Sequence, residues 1–357
     1  MKEIQPNEIW LVIDSLRYGG IETHTLELAK GLRENNIPVR VILLKRYSDT
    51  QLILEKLKLA LIPFETLNDL YPKLSTLAAL KKAAKTYKPS VLHAHGYKAS
   101  IVSKIVKWLL PSLQIKQIST YHAGETPKGR VKLYDALDRY TTFMSNVSLA
   151  VSRKIQAKLP FSSIHINNFV SFDNAPLSSG KQIAFVGRLS EEKAPDRFID
   201  LARSFPLENF HIYGTGPMEQ QLKQLMEHSS SNIYFHGHQK NMNKVWENIG
   251  ILIICSRFEG LPMTALEAMA RGVMVVSLDV GDLNLLIKNK FNGFIADNDE
   301  QLPKLLWECL KLPMEQKVTL RENAQRTIEL SYSRQAAVRQ LIQYYGTSPL
   351  TQNTSQI

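Results

Sequence analysis

Short apolar runs rich in branched residues alternate with amphipathic stretches along the chain. "IWLVID" precedes "GIETHTLELAKGLREN", and "VRVILL", "KPSVLHAH" and "IKQISTYH" follow. Runs of this length predict strands, and strands separated by helical patterns predict βαβ units in a parallel sheet. Pro, Gly, Ser and Asn interrupt the alternation in "SFDNAPLSSGK", residues 171–181, which marks a domain boundary. The pattern resumes with "QIAFVG", "NFHIYG", "NIYFHG", "ILIICS" and "VMVVSL". The expectation is an α/β chain of two doubly wound, Rossmann-like parallel-sheet domains facing across a cleft, with ligands at the strand ends. They span residues 1–172 and 180–330; residues 331–346 predict a further helix, and the polar tail 347–357 is expected to be disordered.

A length of 357 residues suits two such cores. Only two cysteines occur, Cys255 and Cys309, which suits a reducing, cytoplasmic compartment. "MKEIQPNEIWLVIDSL" has no basic leader, and no segment approaches the ~18 apolar residues of a membrane span, so neither export nor integral membrane insertion is expected. Charge divides the chain: residues 1–170 carry 25 Lys and Arg against 13 Asp and Glu, whereas the remainder is close to neutral. An anionic partner for the first part follows. A nucleic acid is disfavoured, because neither an RNP-like aromatic motif, a zinc module nor an arginine stripe is present.

Candidate chemistry falls at strand ends. In "QIAFVGRLSEEKAPDRFIDLA", Arg188 and Lys193 occupy the loop between a strand and a helix starting near Pro195. A planar guanidinium and an ammonium there suit a diphosphate; the alternative for Lys193 is a solvated charge run with Glu191 and Glu192. In "NFHIYGTGPMEQQL", Gly214 and Gly216 sit between a strand and a helix that Pro217 is expected to open, consistent with either a tight turn or a close ligand approach. Gly19 and Gly20 follow the first strand, where backbone amides can meet phosphate oxygens, while Glu22 suits the start of the helix. His93 and His95 would share one strand face, but no third ligand has convincing spacing, so no metal is assigned. Asp297 and Asp299 in "ADNDEQ" read as a helix N-cap.

The segment "FEGLPMTALEAMARG", residues 258–272, places Glu259 in the turn after a strand and Glu267 two turns into the next helix. Pro262 is placed to start that helix and Gly272 to end it. A helix N-terminus at a ligand cleft favours an anion, so a diphosphate belongs near Gly260, Leu261, Met263 and Thr264. Two acceptor-only carboxylates on either side of it suit the hydroxyls of a sugar and of a ribose.

Together, "GGIETH", "STYHAGE", "FVGRLSEEK", "IYGTGP" and "EGLPMTALEAMARG" make the chain resemble a GT-B retaining glycosyltransferase of family 4, over residues 8–346. The resemblance implies a nucleotide-sugar donor, UDP- or GDP-linked, and a saccharide or lipid-linked saccharide acceptor, in bacterial-type surface polysaccharide assembly. It implies that Arg188 and Lys193 neutralise the leaving diphosphate, that Glu267 binds the ribose and that Glu259 binds the transferred sugar. Gly20 would approach the phosphates, His122 would contact the sugar as a catalytic residue, and the last helix would cross back onto the N-terminal domain. A metal-independent reaction is expected. The chain departs from the family pattern at Thr215, Asp282 and Leu285, which bears on donor identity. The rival reading is a catalytically inactive GT-B-like subunit of a glycosyltransferase complex.

"YKASIVSKIVKWLLPSLQIK" places Lys98, Lys104, Lys107 and Lys116 around Ile101, Ile105, Trp108 and Leu109. Such a basic amphipathic helix either lies on an anionic membrane or packs its apolar side on the sheet. The first option would attach the protein peripherally to the cytoplasmic face of the membrane.

Overall fold

The computed structural model describes residues 7–16, 18–48, 51–122, 130–171, 177–226 and 232–346. The tail 347–357 lies outside them, as do Ala123, Gly124 and Glu125 of the "STYHAGE" segment. The chain divides into two units. One runs to Asn168 and takes back the chain from Arg334 onward; the other is Phe169–Ser333.

The first unit contains strands β1 (Ile9–Ile13), β2 (Val39–Leu43), β3 (Phe64–Thr66), β4 (Val91–His95), β5 (Lys116–Tyr121), β6 (Val147–Ala150) and β7 (Ile164–His165). They form one sheet in the order β3-β2-β1-β4-β5-β6-β7, every pair parallel. β1, β2 and β4 are buried along their whole length, as expected for a sheet covered on both faces. Buried Arg40 of β2 is paired: Glu8, just before β1, accepts from Arg40 Nε at 2.9 Å and from Trp10 Nε1 at 2.9 Å.

The second unit contains β8 (Gln182–Val186), β9 (Phe210–Tyr213), β10 (Ile233–Gly237), β11 (Ile249–Ile254), β12 (Met274–Leu278) and β13 (Phe294–Ala296). Their order is β10-β9-β8-β11-β12-β13, again all parallel. Phe185, Phe198, Phe210 and Ile253 build the core on one face, and Trp246, Leu252, Leu266 and Val275 on the other. In both sheets the strand order reverses once, between β1 and β4 and between β8 and β11, and such switch points open a crevice at the carboxyl ends of the strands.

The final helix, Arg334–Tyr345, belongs to the first unit. Buried Arg334 donates to Glu27 at 2.8 Å and to Glu34 at 3.0 Å, and Tyr345 OH lies 2.8 Å from His93 Nδ1.

Three sequence expectations need correction. Lys104 does not face outward: it is 1 % exposed, its Nζ 2.7 Å from Asp138 Oδ1 and 3.0 Å from Tyr121 OH. The carboxylate reaching it comes from another helix, which the local pattern does not reveal. Asp297 and Asp299 do not cap a helix, because the helix Leu302–Lys311 begins after Gln301; Asp299 pairs with Arg197 at 3.2 Å instead. Pro217 does not open a helix either, since the next one is Glu219–Met226.

Candidate functional site

In the second unit the loops after β8 and β9 are zipped together by their backbones. Gly187 N donates to Tyr213 O at 2.9 Å, Leu189 N to Thr215 O at 3.0 Å, and Met218 N to Leu189 O at 3.0 Å. This approach explains the glycines: a Cβ on Gly214 would lie 1.8 Å from Gly187 O, and on Gly216 2.3 Å from Leu189 O. Gly214 also has φ +138°, a conformation that side chains oppose. The "GTG" motif therefore serves loop packing directly.

Lys193, at the end of the loop after β8, is drawn to Glu259 in the loop after β11. Its Nζ donates to Glu259 Oε1 at 2.7 Å and Oε2 at 2.8 Å, and Ser256 Oγ donates to Oε1 at 2.7 Å. Glu192 bonds to Ser190 Oγ at 2.6 Å, so the "EEK" stretch is not a free charge run. The two loops are tied a second time: Arg257 N donates to Glu192 O at 2.8 Å, and the Arg257 guanidinium grips Asp196, holding that carboxyl below its ordinary range. The Glu259 side chain is 7 % exposed and carries an oriented charge at the switch point of the sheet.

Pro262 is the cap of the helix Met263–Ala270, and Gly272 follows its end at φ +66°. Leu261 is buried, while Gly260, Met263 and Thr264 are partly open. Glu267 is partly buried and accepts from Trp246 Nε1 at 3.2 Å. Asp282 is buried, and its backbone N–H donates to Gly260 O at 2.9 Å, so this departure from the family pattern lies against the Glu259–Gly260 turn.

A cavity of about 310 Å³ opens between Gly187, Arg188, Gly214 and Thr215 on one side and Tyr213, His238, Gln239 and Met242 on the other. Arg188 is exposed there. The volume is at the small end for ligand pockets and suits one ring system with its attachments. Sequence reading missed His238, Gln239 and Met242; the available signal was that "FHGHQ" is another strand end. A larger cavity, about 700 Å³ around Phe291, Trp307 and Leu320, is lined by none of the candidate residues.

In the first unit Gly19 precedes the helix Gly20–Glu34, and Glu22 Oε2 accepts from Gly19 N at 2.9 Å, which gives Glu22 its place at the helix start. The next turn carries His24, which meets His95 at the end of β4 and His122 just after β5. The His24 and His122 rings pack edge-on at 4.6 Å, and His95 Nδ1 lies 3.1 Å from His122 Nε2. His93 shares the strand face with His95, ring centroids 4.3 Å apart, but its nitrogens are engaged by Tyr345 OH and Thr120 Oγ1. Burial pushes His24 and His93 down to about 3, and His95 and His122 well below the ordinary imidazole range. The cluster is neutral at pH 7 and offers hydrogen-bonding nitrogens.

Among the described residues, His24, His95 and His122 are the group able to hold a metal ion, one nitrogen from each lying within 4.8 Å of the others. Three imidazoles meet the ligand count of an open zinc site.

Two family models cover most of the chain: "Glycosyltransferase Family 4" matches residues 18–160 and "Glycosyl transferases group 1" residues 168–327. The O-antigen biosynthesis glycosyltransferase WbnH of Escherichia coli is 27% identical over 237 residues, 63% of this chain and 68% of its own. The GalNAc-alpha-(1->4)-GalNAc-alpha-(1->3)-diNAcBac-PP-undecaprenol alpha-1,4-N-acetyl-D-galactosaminyltransferase of Campylobacter jejuni is 24% identical over 314 residues, 83% of this chain and 86% of its own. Among solved structures, Anabaena Alr3699/HepE in complex with UDP superposes with a TM-score of 0.76 at 19% identity, over 94% of this chain and 98% of that one. S. aureus TarM, in complex with UDP and sugars, gives 0.78 at 13%, over 96% and 100%. With two parallel-sheet units and both models matched, the chain belongs to the group 1, family 4 glycosyltransferases of GT-B fold and is a nucleotide-sugar-dependent glycosyltransferase.

Proposed function

We propose that this protein moves a sugar from UDP- or GDP-sugar, UDP being favoured, to a saccharide or lipid-linked saccharide, with retention of anomeric configuration, in assembly of a bacterial-type surface polysaccharide. The observation that carries this reading is the Lys193–Glu259–Ser256 cluster, beside the loop of Arg188 and followed by the helix of Glu267. UDP is favoured because HepE and TarM, of the same fold, have been solved in complex with UDP. A lipid-linked acceptor at the cytoplasmic membrane face is favoured by the name of the Campylobacter relative, which contains PP-undecaprenol.

In this reading the nucleobase enters the cavity at Tyr213 and His238, and Glu267 accepts from the ribose hydroxyls. Arg188, Lys193 and the backbone N–H groups of Gly260, Leu261, Met263 and Thr264 offset charge on the departing diphosphate. The bond from the sugar's anomeric carbon to the diphosphate oxygen breaks and a bond to the acceptor oxygen forms, the acceptor hydroxyl passing its proton to the departing diphosphate. Glu259, oriented by Lys193 and Ser256, holds the sugar hydroxyls, and His122 acts as a neutral hydrogen-bonding group toward the substrate. Gly20, with no neighbour within 4 Å of where a Cβ would stand, presents its backbone to phosphate oxygens, and Gly19, whose N–H is taken by Glu22, sets the turn that precedes it. Arg188, Lys193 and the helix dipole supply the charge stabilisation a metal would otherwise give, so the reaction is metal-independent.

Incubation of purified protein with UDP-sugars and a saccharide acceptor, followed by NMR of the product, tests this. A product of unchanged anomeric configuration is expected. Inversion contradicts retention, and absence of both transfer and donor hydrolysis points to the inactive binding subunit.

A further inference from the structure

The helix Arg130–Tyr140 is amphipathic in the reverse sense. Its inward face is polar: Asp138 is buried and takes the Lys104 ammonium at 2.7 Å, while Arg139 and Asp135 close on each other at 2.7 Å. Its outward face is apolar. Leu133, Leu137 and Tyr140, spaced to share one stripe, are 72%, 47% and 68% exposed. The stripe runs toward Phe143, 65% exposed, whose ring meets exposed Phe161 at 5.4 Å. Tyr134 stacks on Tyr97 at 6.0 Å alongside. Large apolar side chains clustered at the surface mark an interaction site.

Charge selects the occupant. Residues 97–165 carry eleven Lys and Arg against three Asp and Glu; Lys104 and Arg139 are spent on Asp138 and Asp135, and the segment still holds a cationic excess. Lys132 is exposed on this helix, and Lys107 and Lys116 are partly open on neighbouring segments. Leucine and aromatic side chains with a basic surround match the boundary of an anionic bilayer, where acyl chains take the apolar stripe and headgroup phosphates the cations. A nucleic acid would leave the leucines in water. We infer that the outer face of the helix Arg130–Tyr140, with Phe143 and Phe161, lies on an anionic membrane surface. It replaces the Lys104-bearing helix as the membrane-facing element and deepens the reading of a lipid-linked acceptor.

Co-sedimentation of the full chain with vesicles of phosphatidylcholine, alone or mixed with phosphatidylglycerol, tests the inference. The wild type should bind the mixed vesicles selectively and release with salt. Leu137→Glu with Tyr140→Glu should lower that binding at least about tenfold, and Lys132→Glu should weaken it and its salt response. UDP-induced thermal stabilisation should survive in both variants, which separates this surface from the donor site. Absence of wild-type binding, or equal binding by the double variant, overturns the inference. So does a wild-type dimer abolished by the double variant without any vesicle binding, because the face then joins two copies of the chain.

Discussion

Lys193 Nζ lies 2.7 and 2.8 Å from the two carboxylate oxygens of Glu259, across 66 residues of sequence. A cation proposed for a leaving diphosphate and a carboxylate proposed for the transferred sugar are thus held by one contact. Lys193→Ala removes the cation and leaves Glu259 only its Ser256 partner. A fall in kcat of at least about a hundredfold is expected, roughly 3 kcal/mol of lost stabilisation, in a variant that still folds but melts lower because the buried Glu259 has lost its cation. Steady-state kinetics beside a melting curve checks this.

Gly214 sits where neither backbone nor neighbour admits a side chain. Gly214→Ala should cost at least about 3 kcal/mol, since it adds a strained φ to a contact with Gly187 O. Denaturant unfolding measures it; a wild-type midpoint would show that the loops after β8 and β9 separate easily.

Arg334 anchors the last helix through Glu27 and Glu34. Arg334→Ala removes a buried guanidinium but leaves Glu27 paired with Lys30 and Glu34 in solvent, and should destabilise the protein by about 1.5 to 3 kcal/mol. Calorimetry of the variant reads this directly.

The histidines predict an acid limit. Their folded pKa values lie below the unfolded one, so the unfolded chain takes up protons first. Stability is complete above about pH 6.5 and is lost as pH falls toward 3. His24 and His93 should each withdraw about 2 kcal/mol by pH 5. Unfolding titrations from pH 7 to 5 should become less steep with His93→Gln.

Chelation separates two roles for His24, His95 and His122. Transfer in excess EDTA at the uninhibited rate is expected. Inactivation restored by zinc would instead assign them as a metal centre.

The repeating strands were legible because buried parallel strands are written as unbroken apolar runs, as in "IWLVI" and "VMVVSL". β3, β6, β7 and β13 were not: β3, β7 and β13 have three residues or fewer and carry no periodicity, and β6 is only "VSLA". Glu259, Arg188 and Lys193 stood out because each lies in a loop that follows a strand, and Glu267 because it is a carboxylate within a largely apolar helix. Their contacts did not, since the Lys193–Glu259 and Trp246–Glu267 pairings join separate segments. His24 was visible in "GGIETH" without a role, because the cluster draws on three segments that only the sheet brings together. Lys104 misled for the same reason, its carboxylate belonging to a helix further along the chain.

The central claim is a nucleoside-diphosphate site in the second unit that depends on Glu267. The most direct measurement is thermal stability with UDP, GDP, ADP, CMP and NAD in turn, since a ligand at a hundred times its Kd stabilises by about 2.7 kcal/mol. The account predicts a selective shift with one nucleoside diphosphate, UDP first, lost in Glu267→Ala. No shift with any nucleotide, or a shift that Glu267→Ala leaves intact, would contradict it.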